Sequence, residues 1–192
     1  MNEKLKYTFL CFPVPFEVRS KKNMLYSTLE ESPAQINWVK NDNLHFTLKF
    51  IGYTTESQIP KIISILSKIT INYKPFELVI NSTGCLPTKE RPRTLFLGVE
   101  GRLNILSDLF QNIENEFEKI DIEKDRNGFF PHITIARIKY PQTHTPDIDL
   151  FLKSSYDPID LSLDRVQFFS SELLPSGAIY TLLKTFPLGE QV

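Results

Sequence analysis

Two short stretches of this 192-residue chain carry the same pairing of a histidine with a threonine two residues later. The first reads NLHFTLKFIG and holds His45 and Thr47, and the second reads PHITIAR and holds His132 and Thr134. Both stand inside apolar runs with the length and composition of a buried strand. A single histidine of this kind is more often structural than catalytic, whereas two in matched settings indicate a site built from two halves.

The geometry of a strand predicts how these side chains are arranged, because successive residues point to opposite faces. In the first stretch, strict alternation places His45, Thr47 and Lys49 on one face and an apolar row on the other. In the second it places His132 and Thr134 together in the same way. We therefore expect a cleft lined by two imidazoles and two hydroxyls, with the Lys49 ammonium on the same side.

Two histidines in one cleft suit the cleavage of a phosphodiester. Imidazole titrates near pH 6.5, so one ring can accept the proton of the attacking oxygen while the other donates a proton to the leaving oxygen. Thr47 and Thr134 then serve as donors to the non-bridging oxygens, and Lys49 and Arg137 are the nearest cations. Strict alternation turns Arg137 away from His132, so it reaches a phosphate only through a bulge or at the end of the strand.

Composition excludes several other kinds of site. The formal net charge of −1 is not that of a general binder of duplex nucleic acid, and there is no glycine-rich phosphate loop. Cys11 and Cys85 have no metal or disulfide spacing, and no carboxylate or cysteine cluster accompanies the histidines. No apolar run approaches the length of a membrane span. We expect a cytoplasmic monomer that does not bind a membrane and uses neither metal nor cofactor.

The remaining pattern predicts the elements that must position the two motifs. Apolar and aromatic runs predict strands over residues 6–12, 36–39, 76–81, 93–99, 166–170 and 178–184, and helical spacing predicts helices over 16–31, from Ser57 to about 69, and over 103–120. Strand, helix and histidine strand thus occur in both halves. This predicts one α+β, bilobal domain over residues 1–192, with two mainly antiparallel sheets, outer helices and a central cleft to which each lobe supplies one histidine strand. Residues 141–158 are expected to form a surface excursion.

The sequence resembles the 2H, or two-histidine, phosphoesterases, in the branch of RNA 2′,3′-cyclic phosphodiesterases once called 2′-5′ RNA ligases. The two H-x-T-x motifs of that family appear as HFTL from His45 and HITI from His132, with RPRTLFLGVEG, FPHITIAR and SELLPSGAIYTLL in order around them. The resemblance implies metal-independent hydrolysis of an RNA 2′,3′-cyclic phosphate end to a 2′-phosphomonoester. It also implies that His45 is the proton donor and His132 the proton acceptor, acting on RNA 3′ ends or cyclic nucleotides.

Two other functions stay open on the sequence alone. A 2′-5′ RNA ligase would use the same site for the reverse reaction, which joins a cyclic phosphate end to a 5′-hydroxyl. A non-catalytic RNA-binding module would use the cleft only to bind phosphate. The clearest local basic patch is the loop that holds Lys89, Arg91 and Arg93. By the resemblance, this loop is expected to hold the backbone or a base of the RNA.

Overall fold

The computed structural model of this protein describes residues 5–126, 128–175 and 177–189. Within these residues the chain forms nine strands and four helices, with a 3-10 turn over Asn41–Asn43. The strands are β1 Leu5–Pro13, β2 Ile36–Trp38, β3 His45–Thr55, β4 Phe76–Leu86, β5 Thr94–Gly101, β6 His132–Ile138, β7 Ile159–Leu163, β8 Arg165–Leu174 and β9 Gly177–Pro187. The helices are α1 Glu17–Tyr26, α2 Gln58–Thr70, α3 Leu103–Glu118 and α4 Asp149–Leu152.

The strands form two antiparallel sheets, each of which contains one histidine strand. The first sheet has the order β3-β1-β8-β9, and the second has the order β2-β6-β5-β4-β7. The histidine strands β3 and β6 contact each other across the two sheets. The predicted α+β, bilobal architecture with two antiparallel sheets is confirmed.

The two long helices owe their position to apolar stripes that recur at about 3.6 residues. In α2 the stripe buries Ile62, Leu66 and Ile69, and in α3 it buries a longer row that includes Leu106 and Phe117. The two helices pack against each other, and α2 also packs against β3 and β9. This packing leaves the opposite face of β3, which carries His45, free to line the cleft.

The unit of strand, helix and histidine strand occurs twice, as the sequence predicts. It runs β1-α1-β3 in the first half and β5-α3-β6 in the second, and in each unit the outer strands are antiparallel neighbours. Strand β2 departs from this symmetry, because it follows α1 in the chain but pairs with β6 in the second sheet. Trp38 lies opposite Ala136, and the Val39 N–H donates to the Ile135 carbonyl at 2.9 Å. The chain that leads into His45 is thereby held against the strand of His132.

Several boundaries differ from the predicted ones. Helix α1 ends at Tyr26 rather than near residue 31, and strand β7 was not predicted. The segment 141–158 is more than a surface excursion, because Ile148 and Phe151 of this segment are buried in the core. None of the helices described here is both long and apolar enough to cross a membrane.

Candidate active site

Each histidine strand carries a β-bulge directly after the threonine of its motif. The extra residue at this place is Leu48 in β3 and Ile135 in β6, and in both strands the register with the neighbouring strand shifts there. Strand β3 has a second extra residue further along, Ile51. A bulge lets two residues oppose one on the partner strand, so side chains beyond it change faces. His45 and Thr47 lie before the bulge of β3 and keep a common face.

Because of the bulge in β3, Lys49 faces the core and not the cleft. Its side chain is 1% exposed and forms an ion pair with Glu114 of α3, whose side chain is 3% exposed. The ammonium also donates to the carbonyl of Glu123 at 3.1 Å. The prediction that Lys49 shares the face of His45 is therefore wrong, since it assumed unbroken alternation. We therefore do not expect Lys49 to contact a substrate.

The matching bulge in β6 has the opposite consequence for Arg137. It turns this exposed side chain to the face that carries His132 and Thr134, which both lie before the bulge. Burial is the largest cause of the lowered pKa of His45 and of His132, and the positive charge of Arg137 lowers the pKa of both rings further. The sequence required a bulge for Arg137 to reach a phosphate, and the structure contains one.

Both imidazoles are held in the same way by the backbone. The Nδ1–H of His45 donates to the carbonyl of Asn43 at 2.7 Å, and the Nδ1–H of His132 donates to the carbonyl of Phe130 at 2.8 Å. Because a carbonyl oxygen only accepts, Nδ1 must carry the proton in both rings. This leaves Nε2 of each ring as the nitrogen that can exchange a proton with a substrate.

The surroundings lower the pKa of both histidines. Burial is the largest cause for each, the backbone hydrogen bond at Nδ1 opposes it, and the charge of Arg137 adds to the lowering. The charge of His132 lowers the pKa of His45 further, which places the two rings within electrostatic reach of one another.

The His45 side of the cleft is a pocket with aromatic walls. The imidazole lies 5.0 Å from the Phe9 ring and 5.5 Å from the Tyr180 ring, measured between centroids. Together with Phe169 and Asn43, these residues line a cavity of about 470 Å³, within the range of small-molecule sites. Burial raises the pKa of Tyr180, so its phenol stays protonated.

The His132 side is also aromatic. The ring of His132 lies 5.2 Å from Phe96 and 5.5 Å from Phe130, and these two phenyl rings meet edge to face. Cys11 pairs with Thr47 in the ladder between β1 and β3, but burial raises its pKa to about 12, so it remains a thiol. Among the described residues, no three His, Cys, Asp or Glu side chains are grouped as a metal site.

A buried lysine anchors the segment that leads into each histidine strand. Before His45, Lys22 of α1 donates to the carbonyl of Val39 at 3.0 Å and to the side chain of Asn41 at 2.6 Å. Burial lowers the pKa of Lys22, with a smaller contribution from the charge of Arg19.

Before His132, the anchor is the pair of Lys49 and Glu114. Lys49 holds the carbonyl of Glu123, while Glu114 accepts the N–H of Asp125 at 2.7 Å. Sequence reasoning missed both anchors, because a charged residue in an amphipathic stretch is normally part of the solvated face.

The predicted basic loop is largely engaged with the protein itself. Lys89 forms an ion pair with Asp149, and the guanidinium of Arg93 lies 3.9 Å from the centroid of the Tyr140 ring. Arg91 is exposed. That this loop holds RNA stays a prediction.

Comparison with known proteins connects this geometry to a family. The model of the LigT-like phosphoesterases matches the chain twice, over residues 13–96 and 97–180, so each match contains one histidine motif. The RNA 2′,3′-cyclic phosphodiesterase of Methanothermobacter thermautotrophicus is 31% identical over 94% of this chain and 97% of its own length. The enzyme of the same name from Thermotoga maritima is 30% identical over 92% of each.

Solved structures share the fold. E. coli LigT in complex with 3′-AMP superposes with a TM-score of 0.78 at 20% identity, covering 97% of this chain and 100% of LigT. TT0787 of Thermus thermophilus superposes with a TM-score of 0.77 at 23% identity over the same shares. With the family model matching both halves, the chain belongs to the LigT-like phosphoesterases.

Proposed function

We propose that this protein hydrolyses the 2′,3′-cyclic phosphate end of RNA to a 2′-phosphomonoester, without a metal ion. The observation that carries the proposal is the matched pair of imidazoles, each fixed at Nδ1 by a carbonyl two residues earlier and each left with Nε2 to exchange a proton. The relatives that cover nearly the whole chain bear the name of this activity.

The reaction needs one proton removed and one supplied. Nε2 of His132 takes a proton from water as the water oxygen attacks phosphorus, and Nε2 of His45 gives its proton to the 3′ oxygen as the P–O3′ bond breaks. The phosphate then remains on the 2′ oxygen. This assignment follows the family resemblance, and the lowered pKa of His45 makes its protonated form a stronger acid.

Three side chains are suited to the charge that develops on the non-bridging oxygens. Thr47 and Thr134 place a hydroxyl beside each imidazole, and Arg137 brings a planar pair of N–H donors to the same face. Lys49 has no part in this step, since its ammonium is buried against Glu114.

An oligoribonucleotide ending in a 2′,3′-cyclic phosphate tests the proposal, with chelator present and the products identified. We expect a 2′-phosphate end, and a fall in kcat of about a hundred- to ten-thousandfold in His45→Ala and in His132→Ala. The matched control is His144→Ala, because this third histidine is exposed and belongs to neither H-x-T-x motif.

Three results would contradict the proposal in different ways. Full activity in both single variants would exclude the two-histidine mechanism. An excess of joined 2′-5′ product over the 2′-phosphate end would show that the chain is a ligase. Binding of the oligonucleotide without turnover in the parent protein would show a binding module.

A further inference from the structure

Three exposed aromatic rings continue the cleft face of the first sheet beyond the His45 pocket. Phe50 is 49% exposed, Tyr53 is 77% exposed and Tyr7 is 40% exposed. We call these three residues the aromatic track. Large apolar side chains grouped on one exposed surface commonly mark a binding site.

The register between β1 and β3 makes the track continuous with the catalytic pocket. Phe9 touches His45 on one side and lies 6.3 Å from Phe50 on the other, between ring centroids. One step further along the sheet, Tyr7 and Tyr53 are ladder partners whose rings meet edge to face at 5.5 Å. From the level of His45 to that of Tyr53 the sheet extends about 20 Å, the length of a few nucleotides.

The position of Phe50 shows how the two halves of the site differ. Phe50 is the second residue after the bulge at Leu48 in β3 and directly precedes the second bulge at Ile51, and Arg137 is the second residue after the bulge in β6. The same place in the two half-sites therefore carries a phenyl ring in one and a guanidinium in the other. A guanidinium suits a phosphate, whereas an exposed phenyl ring suits the face of a base.

The chemistry around the track favours stacking over phosphate binding. A cavity of about 700 Å³ beside it is lined by Tyr7, Tyr53 and Ser171, and its charged side chains are one cation, Lys6, and one carboxylate, Glu172. Stacking on aromatic rings accepts any base, because every base has a π face.

The other surface that adjoins the cleft is less open to a base. Near the end of β6, one face of the Tyr140 ring is already covered by the guanidinium of Arg93 at 3.9 Å. Lys89 of the same loop is engaged by Asp149.

We propose that the aromatic track binds the single-stranded RNA that precedes the cyclic phosphate, so that the preferred substrate is an oligonucleotide and not a cyclic mononucleotide. This inference rests on the proposed function, since the cyclic end must lie between the histidines for the preceding nucleotides to reach the track. Phe9 joins the two, because its buried ring packs between His45 and Phe50, with ring centroids 5.0 Å and 6.3 Å away.

The test compares two substrates that end in the same 2′,3′-cyclic phosphate, a hexaribonucleotide and a nucleoside. The measured quantity is the ratio of their kcat/KM values. We expect a ratio well above one in the parent protein, and a fall of about 5- to 150-fold in that ratio for Tyr53→Ala, the range of a lost base stack. Tyr53→Phe keeps a ring and should keep the ratio. Tyr26→Ala is the matched control, an exposed tyrosine of α1 that packs on Trp38.

Binding of a labelled hexaribonucleotide with a 2′-phosphate end supplies a second measurement that needs no turnover. Weaker binding in Tyr53→Ala and Phe50→Ala than in Tyr26→Ala supports the track, even if the parent protein hydrolyses neither substrate and the proposed function fails. Equal kcat/KM values for both substrates in the parent protein overturn the inference. So does a ratio that is insensitive to Tyr53 but lost in Arg93→Ala or Tyr140→Ala.

Discussion

Replacing Lys49 by methionine leaves the Glu114 carboxylate buried without its ion-pair partner. Both side chains are nearly inaccessible, at 1% and 3% exposure. Removing one member of such a pair costs about 3–5 kcal/mol, because an uncompensated charge stays in the interior. A domain of this size has a stability of about 5–15 kcal/mol, so Lys49→Met should be severely destabilised in urea unfolding followed by the fluorescence of Trp38.

The double variant Lys49→Met/Glu114→Leu separates stability from positioning. Replacing a buried pair by apolar side chains of similar volume is often neutral or stabilising. The double variant also loses the hydrogen bonds to the backbone of Glu123 and Asp125, at about 1 kcal/mol each. We therefore expect its unfolding free energy to return to within about 2 kcal/mol of the parent value.

Its activity should not return with its stability. The lost hydrogen bonds hold Glu123 and Asp125, which precede Phe130 in the chain, and the Phe130 carbonyl orients His132. We expect kcat to stay reduced, and the imidazole NMR signals of His132 to shift while those of His45 do not. Lys119→Met is the control, because Lys119 pairs with Glu116 on the surface, where ion pairs contribute little. A stable double variant with full kcat would refute the reasoning.

Two further predictions concern the titration of the site. Arg137→Met should move the pH profile of kcat/KM to higher pH, because the charge of Arg137 adds to burial in lowering the pKa of both histidines. Arg137→Lys should keep the pH profile but lower kcat, because an ammonium lacks the paired N–H donors of the guanidinium. The unfolding free energy should fall as the pH drops below about 6.5, because the unfolded chain then binds protons that the native imidazoles, with their lowered pKa, resist. Chemical unfolding between pH 5 and 7.5 measures this dependence. In the double variant His45→Gln/His132→Gln the unfolding free energy should change less with pH, and an unchanged pH dependence would contradict the prediction.

The sequence predicted the fold class, most strands and the two long helices, because their periodicity is local. Strand β7 was missed, since IDLSL is short and follows a proline-rich segment. The polar residues of that segment predict a surface excursion, although Ile148 and Phe151 hold it to the core. Whether an isolated apolar residue is buried depends on which distant parts of the chain pack against it, and local sequence patterns do not show this.

The errors at the site have one physical source. Alternation along a strand is a rule for regular pairing, and a bulge is a property of two strands together. The motif residues His45 and His132 lie before the bulges, so regular alternation predicts their placement on the cleft face correctly. Lys49 and Arg137 lie beyond them, and both end on the face opposite to the one that alternation gives.

The crossing of β2 into the second sheet restricts how this molecule can move. A clamshell enzyme closes on its substrate by bending at a hinge between its lobes. Here the backbone ladder of Trp38 and Ala136, with the bond from Val39 to Ile135, holds the chain that leads into β3 against the second sheet. Since β2 moves with the second sheet and β3 belongs to the first, any relative movement of the two sheets must bend the few residues between Val39 and His45, directly beside the site.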